Sequence, residues 1–251
     1  MRGESHVFYS LLSAAILSPV LLRSGDPAVL FLSMAGIFIG SLAPDADAAD
    51  SAIMHGLLGG SGGLKIFRRH TVLILPFFGY LIRYFVYFPV SALAFLFTFG
   101  RIKPKHRGLL HSLFGIMTAS FLLFVYLNAA IYLISGLILP DLDLSAKLFY
   151  PLGIFCTGVF AGSFFHLLED SCTRSGVCWF FPFKNTSVSG DLLPKSRRNW
   201  LIVLVLAAFS FISLFFFSGD ITGELLIDIM PFLLFASAWT FVLFISGAEK
   251  N

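Results

Sequence analysis

The sequence predicts an all-α, polytopic membrane protein, and its composition and its apolar runs are the two observations that predict this class. Hydrophobic residues make up 57% of the 251 residues, and charged residues make up only 12%. A soluble domain carries about 25% charged residues, so the composition excludes a soluble globular protein. Because no internal repeat or low-complexity tract divides the chain, we predict a single integral membrane domain over residues 1–251, with the lipid bilayer as its solvent.

Apolar runs of bilayer length, about 17–25 residues, define about six spanning helices. The first run follows Arg2 in the position of a signal peptide, but no small-x-small cleavage pattern precedes Gly25, so we expect this run to be retained. The first two runs are short and are expected to tilt or to continue past their limits. The six runs lie at 7–22, 28–43, 112–138, 149–168, 200–218 and 229–246.

Segment 72–99 is also apolar, but Pro76, Arg83 and Pro89 interrupt it. Two full crossings need about 20 residues each, and the segment has only 28. We therefore predict a re-entrant or interfacial hairpin that turns between Arg83 and Pro89. The alternative is one kinked spanning helix, which would place the polar segments on its two sides at opposite membrane faces.

Lysine and arginine residues fix the predicted orientation. Fourteen of them fall in residues 1–6, 44–71, 100–111, 169–199 and 247–251, whereas the remaining loops hold only Arg23 and Lys147. Cytoplasmic loops carry the excess of basic residues, so the first set is predicted to be cytoplasmic and the protein to lie in the inner membrane. The net charge of +3 is then explained by the basic residues of the cytoplasmic loops. We therefore expect no nucleic-acid partner.

Histidines and aspartates gather where the apolar runs end. His166 and Asp170 lie four residues apart at the end of a predicted helix, so both project from one face. His106 and His111 flank Gly108, which allows the chain to turn so that both imidazoles converge. Ionisable groups at the edge of the hydrocarbon are costly unless they are paired or bound to a metal, so several such clusters favour one shared site.

Two further polar segments are predicted to join this site. Asp45 and Asp47 follow the second run, where an extended backbone would point both to the same side. His6, Ser10 and Ser13 form a polar stripe at helical spacing. Mixed imidazole and carboxylate ligands suit Zn²⁺, Mn²⁺ or Fe²⁺, so we predict one or two divalent ions, with zinc as the first choice. The predicted metal ligands are His6, Asp45, His106, His111, His166 and Asp170.

Asp47 and Arg107 are the predicted catalytic residues. Asp47 is expected beside the metal as a further ligand or as a group that orients a ligand. Arg107 can hold a phosphate through a charge-assisted fork, although a role as a cytoplasmic anchor explains this arginine equally well. Because a Lewis-acid metal lowers the pKa of its water toward about 7, we predict hydrolysis of a phosphoester or another ester. A site at headgroup level favours a lipid or lipid-linked substrate.

The same motifs resemble a known family over roughly residues 1–185. In family order they are His6, Pro44–Asp47, His106–Ser112 and Gly162–Asp170. This set is similar to the YdjM-type, membrane-bound, metal-dependent hydrolases, which are also described as LexA-binding, inner-membrane-associated proteins. Leu110 stands where that family commonly has threonine, and 200–246 adds two spanning helices. The resemblance implies metal binding in the inner membrane more directly than it implies one reaction.

Two other classes of function stay open at this point. An ion or metal transporter or sensor would use the same residue types, but transport ligands lie near the bilayer midplane on broken helices, whereas these residues lie at helix ends. A regulatory membrane scaffold would need an exposed surface for a soluble partner. Loop 171–199 offers aromatic and basic residues for such a surface, and a membrane-surface anchor explains the loop equally well.

Overall fold

Helices form almost all of the described chain. The computed structural model describes residues 3–55, 74–97, 99–100, 107–138, 144–193, 196–217 and 225–250. Within these residues the chain forms eight α-helices and a single two-stranded antiparallel ribbon, which confirms the predicted all-α class.

The helices are numbered in chain order. Their bounds are α1 Gly3–Leu22, α2 Pro27–Gly40, α3 Ala52–His55, α4 74–97, α5 Leu113–Ile138, α6 Leu144–Ser171, α7 Arg198–Phe217 and α8 Leu225–Ser246. Two short 3₁₀ turns, Ala43–Asp47 and Leu109–His111, precede α3 and α5. Strand β1 (Val188–Ser189) pairs with β2 (Glu249–Lys250) and ties the end of the chain to the loop after α6.

Six of these helices are long and apolar enough to cross a membrane: α1, α4, α5, α6, α7 and α8. The predicted number of spans is therefore confirmed, but one member of the set changes. The run predicted at 28–43 forms α2, which has only 14 residues. Helix α4, which was expected to be a hairpin, takes its place.

The structure replaces the hairpin predicted at 72–99 with one continuous helix over 74–97. Proline inside a helix removes a hydrogen bond and crowds the carbonyl four residues earlier. Here a π-helical stretch, Ile82–Tyr87, ends two residues before Pro89 and widens the helix. The carbonyl of Phe85 accepts a hydrogen bond from Tyr126 Oη at 3.0 Å. A partner on α5 therefore satisfies the backbone group that Pro89 would otherwise leave without a bond.

Glycines allow α2 and α6 to pack backbone against backbone. The contact is formed by Gly36 and Gly40 on α2 and by Gly158 and Gly162 on α6. A Cβ atom at Gly36 or at Gly162 would overlap a backbone oxygen of the other helix. Small residues at such spacing permit close helix approach inside membranes. Because the two helices run in the same direction, the C-terminal end of α2 lies against α6 at Ser163, shortly before His166.

The last two helices, α7 and α8, pack against α1. Ser210 Oγ and Ser213 Oγ on α7 donate to backbone oxygens of α1 at 2.9 and 2.6 Å. On α8, Trp239 Nε1 donates to Ser13 Oγ at 3.0 Å. Two of the serines that the sequence assigned to a polar stripe, Ser10 and Ser13, thus face the protein interior. These contacts fix α1, which carries His6.

Candidate metal centre

Four segments that are far apart in the sequence meet at one end of the helix bundle. Helix α1 supplies a side chain near its N-terminus, α6 supplies two near its C-terminus, and each of the two 3₁₀ turns supplies one. Five of the six predicted ligands come together there: His6, Asp45, His111, His166 and Asp170. The sixth predicted ligand, His106, lies outside the described residues.

The donor atoms of this cluster lie close to one another. His111 Nε2 is 3.3 Å from Asp45 Oδ1 and 3.7 Å from Asp170 Oδ2. His166 Nε2 is 3.7 Å from the same two oxygen atoms. His6 Nε2 is 3.8 Å from Asp170 Oδ1. The three imidazoles and Asp170 are buried, so the cluster concentrates ionisable groups where water does not solvate them.

The other ring nitrogen of each histidine faces an acceptor outside the cluster. His6 Nδ1 is 2.6 Å from Glu169 Oε2, and His166 Nδ1 donates to the Ser41 carbonyl at 2.7 Å. His111 Nδ1 lies 3.6 Å from Asp47 Oδ2. Metal-binding histidines usually present their second nitrogen to a carboxylate or a carbonyl, which fixes the tautomer and leaves the first nitrogen for the ion.

One atom of the cluster tests whether these residues fit a metal. His166 Nε2 is buried and has no hydrogen-bond partner among the described residues. A buried polar atom without a partner costs about 1–3 kcal/mol, and a cation bound at this nitrogen would remove that cost. Imidazole and carboxylate donors together suit divalent transition metals. The residues present therefore fit a divalent metal ion.

The turn before α5 holds His111 in place. Ser112 follows it and caps α5, since its Oγ accepts a hydrogen bond from Gly115 N at 3.0 Å. Gly115 has no room for a side chain, because a Cβ atom would overlap the Leu109 carbonyl. Arg107 has a φ of 61°, in the left-handed region, and its backbone N–H donates to Asp47 Oδ2 at 3.0 Å. The described part of this element, Arg107–Ser112, thus fixes the orientation of the His111 imidazole.

The predicted catalytic residues lie next to the cluster rather than within it. Asp47 stands behind His111, in a position to orient that imidazole. The Arg107 guanidinium lies against Asp170, with Nη2 3.2 Å from Oδ2, and Nη1 donates to Ser175 Oγ. Arg107 is partly exposed, so this side chain connects the buried Asp170 to the protein surface.

One family matches this chain. The family described as YdjM inner membrane protein matches residues 1–248. The chain belongs to the YdjM inner membrane protein family. The match includes α7 and α8, which the resemblance over residues 1–185 left outside. No curated protein and no solved structure matches the chain. The YdjM family and the six apolar helices together identify an inner-membrane protein.

Two charged residues of this YdjM-family protein support the site but were not predicted to do so. Glu169 binds His6 and accepts a second hydrogen bond from Ser10 Oγ at 2.9 Å. Its position three residues after His166, on the same helix end, was the signal for it. Arg83 Nη1 donates to the carbonyls of Ala46 and Asp47, both at 3.3 Å. A lone arginine inside an apolar run signals such a role, because a charge there needs a partner.

The charges around the two predicted ligands on the 3₁₀ turns shift their pKa values. Burial favours the neutral form of Asp45, but the nearby imidazoles of His166 and His111 outweigh burial and hold the pKa of Asp45 below its usual range. Burial also lowers the pKa of His111, but the nearby carboxylates of Asp45 and Asp47 reverse that effect and raise it to about 9. Without a metal, a proton on His111 therefore supplies the positive charge.

Metal affinity in the YdjM-family protein is therefore expected to rise with pH. Below the His111 pKa of about 9, an incoming ion must displace a proton, so affinity should increase about tenfold per pH unit and level off above that value. Calorimetric titration in buffers of different ionisation enthalpy measures both the affinity and the protons released. An affinity that does not change between acidic and alkaline pH contradicts the proton competition.

Proposed function

We propose that this YdjM-family protein is a membrane-embedded, metal-dependent hydrolase that acts on a phosphoester or another ester at its cytoplasmic face. The observation that carries the proposal is the cluster of three buried imidazoles, the buried Asp170 and the partly exposed Asp45, in which each imidazole also faces a second acceptor. A site that only balanced charge would not need every ring to be oriented in this way.

Different residues of the protein have different roles in the proposed reaction. When bound, a divalent ion supplies Lewis-acid polarisation and a water that ionises more readily. Asp45 and Asp170 bring negative charge that holds the cation, and Asp47 and Glu169 orient His111 and His6. Arg107 contacts Asp170 and is partly exposed, so its guanidinium can also contact the oxygens of a bound phosphate.

A lipid or lipid-linked substrate is supported by where the site lies. The cluster forms at the ends of apolar helices, and the loop that follows α6 exposes Phe180 and Phe183. Phenylalanines in such a position suit the boundary between headgroups and hydrocarbon. A substrate that is itself held in the bilayer reaches this site by lateral diffusion, whereas a soluble ester would have to approach through the headgroups.

The cytoplasmic orientation can be tested by thiol labelling. In a background without native cysteines, Lys184→Cys lies in the loop that follows α6, and Ser24→Cys lies in the turn between α1 and α2, at the end of α1 away from His6. An impermeant reagent added outside intact cells is expected to label only the cysteine at position 24, because basic loops stay in the cytoplasm. Labelling at 184 with protection at 24 would place the centre on the outer face.

Hydrolysis is tested with metal-loaded, purified protein against phospholipids, lipid-linked phosphates and soluble phosphodiesters. We expect Arg107→Ala to retain metal but to lose at least about tenfold in rate, which corresponds to about 1.4 kcal/mol of transition-state stabilisation. Arg107→Lys should recover part of that rate, because a point charge does not reproduce a planar fork. Full activity in Arg107→Ala would show that Arg107 serves only as a cytoplasmic anchor. Absence of hydrolysis by the metal-loaded wild type would favour ion transport or sensing instead.

A further inference from the structure

A cleft lies between α1 and α7, at the same end of α1 as His6. Its volume is about 370 Å³. With 3.6 residues per turn, the lining residues of α1 point about 100° around that helix from His6. The α1–α7 cleft therefore faces away from the metal centre. Its lining residues include Ser5, Phe8 and Tyr9 of the α1 wall and Ser196, Asn199 and Trp200 of the α7 wall.

The α1 wall of the cleft carries two hydroxyl groups that lack partners. Tyr9 lines the cleft and is only 5% exposed, yet its hydroxyl forms no hydrogen bond with any residue that the structure describes. The same is true of Ser5 Oγ, one helical turn earlier. Side chains on a helix lean toward its N-terminus, so the ring of Tyr9 leans toward the level of Ser5. Both hydroxyls can therefore donate to a ligand oxygen in the cleft.

Basic residues flank the α7 wall where this helix begins. Arg197 and Arg198 lie in the chain between two lining residues, and both are exposed. Lys195 precedes them in the sequence. Among the described residues of α1 and α7, Glu4 is the one acidic side chain, and it does not line the cleft. The excess of positive charge favours an anionic ligand.

The apolar part of the cleft is aromatic and exposed. Trp200 is 72% exposed and Phe8 is 49% exposed, and each lies near the beginning of a helix that can cross the membrane. Tryptophan is enriched at the level where headgroups meet hydrocarbon. A soluble anion would use only the polar side of such a cleft, whereas a phospholipid has a polar group and a hydrocarbon part for both sides.

We infer that the α1–α7 cleft binds the headgroup of one anionic phospholipid. The hydroxyls of Ser5 and Tyr9 donate to its phosphate oxygens, and the two arginines beside the cleft balance its charge. Its acyl chains pass Phe8 and Trp200 into the bilayer. The inference does not depend on the proposed hydrolase, because none of the residues named for the cleft belongs to the metal centre. The bound lipid would hold α1 and α7 together at the membrane surface.

Lipid retention by the purified, full-length protein tests this inference. Protein in detergent is mixed with equal amounts of phosphatidylglycerol and phosphatidylcholine that have identical acyl chains, and native mass spectrometry counts the lipids bound. We expect one phosphatidylglycerol per chain and a preference of at least about fivefold over phosphatidylcholine, the factor expected for one basic residue near an anionic lipid. Equal retention of the two lipids would overturn the inference.

Two double variants separate a local effect from overall charge. Arg197→Gln with Arg198→Gln should remove the preference for phosphatidylglycerol. Arg174→Gln with Lys184→Gln is the matched control, since both residues are exposed, lie in the loop that follows α6 and do not line the cleft. This control removes the same charge and should keep the preference. An equal loss in both variants would show attraction by overall charge and would contradict a site in the cleft.

Tyr9→Phe tests the cleft without removing a charge, and it keeps the shape of the side chain. Loss of one hydrogen bond should lower retention of phosphatidylglycerol about two- to tenfold, so unchanged retention would refute the inference even if the arginine variant fails to fold. Inorganic phosphate at the concentration of the lipid should not displace it. Displacement would identify a site for a soluble anion and would also refute the inference. None of these measurements uses metal or hydrolysis, so the proposed hydrolase stands or fails separately.

Discussion

Replacing both His111 and His166 by alanine is expected to abolish metal retention while the protein still inserts into the membrane. Both imidazoles are buried in the cluster, and each contacts Asp45 and Asp170. Without them the centre keeps one histidine and two carboxylates, and these carboxylates lose two of their nearest partners. Metal analysis of the purified variant measures the loss directly.

His55→Ala is the matched control for this double variant. His55 ends α3, is exposed and bonds to the Ala49 carbonyl, so its removal should leave metal content unchanged. Asp170→Asn distinguishes loss of metal binding from a folding defect, because it keeps the shape of the side chain and removes only the charge. We expect this variant to lose at least about tenfold in affinity, or about 1.4 kcal/mol. Stoichiometric metal in the double variant would refute the centre.

Gly36→Leu is expected to disrupt the fold itself. A Cβ atom at this position would overlap the backbone oxygen of Phe155 on α6, and backbone cannot move aside as a flexible side chain can. Overpacking of a filled core costs about 1–3 kcal/mol, and we expect a cost at or above the upper end of that range. Because α2 leads into the turn with Asp45, and α6 carries His166 and Asp170, metal content should fall as well.

Gly136→Leu is the control, since Gly136 lies on α5 with no atom near its Cβ position among the described residues. It adds the same side chain without a clash. Thermal unfolding in detergent, followed by the solubility of the full-length chain, compares the two variants. An unfolding midpoint for Gly36→Leu equal to that of Gly136→Leu would mean that the α2–α6 contact is loose.

Where residues are close in the sequence, the sequence was sufficient to predict that their side chains share a face. His166 and Asp170 are one helical turn apart, and their shared face follows from helix geometry alone. His6 and Glu169 are a different case, because their 2.6 Å contact joins residues 163 positions apart. A single sequence carries no record of which distant residues meet. The ends of apolar runs indicated the region of the site, but the partner of each imidazole depended on tertiary packing.

The same limit explains the outcome for α4. Arg83 and Pro89 are turn signals when only neighbouring residues are considered, yet Tyr126 satisfies the carbonyl that the proline frees, from 41 residues away. An unbroken helix was expected to separate Asp45 and Asp47 from His111. The structure contains the continuous helix, yet His111 Nε2 lies 3.3 Å from Asp45 Oδ1. Arg83 on that helix bonds to the turn that carries both aspartates.

The shortness of α2 has a mechanical consequence for the surrounding lipid. Its 14 residues extend about 21 Å, whereas the hydrocarbon layer is about 30 Å thick. Hydrophobic mismatch of this kind is relieved when the bilayer thins or when polar groups recess beneath its surface. The turn that follows α2 carries Asp45, so the proposed ion would sit in a dimple below the plane of the neighbouring headgroups. The lipid proposed as substrate could then enter that dimple and present its headgroup linkage without leaving the membrane.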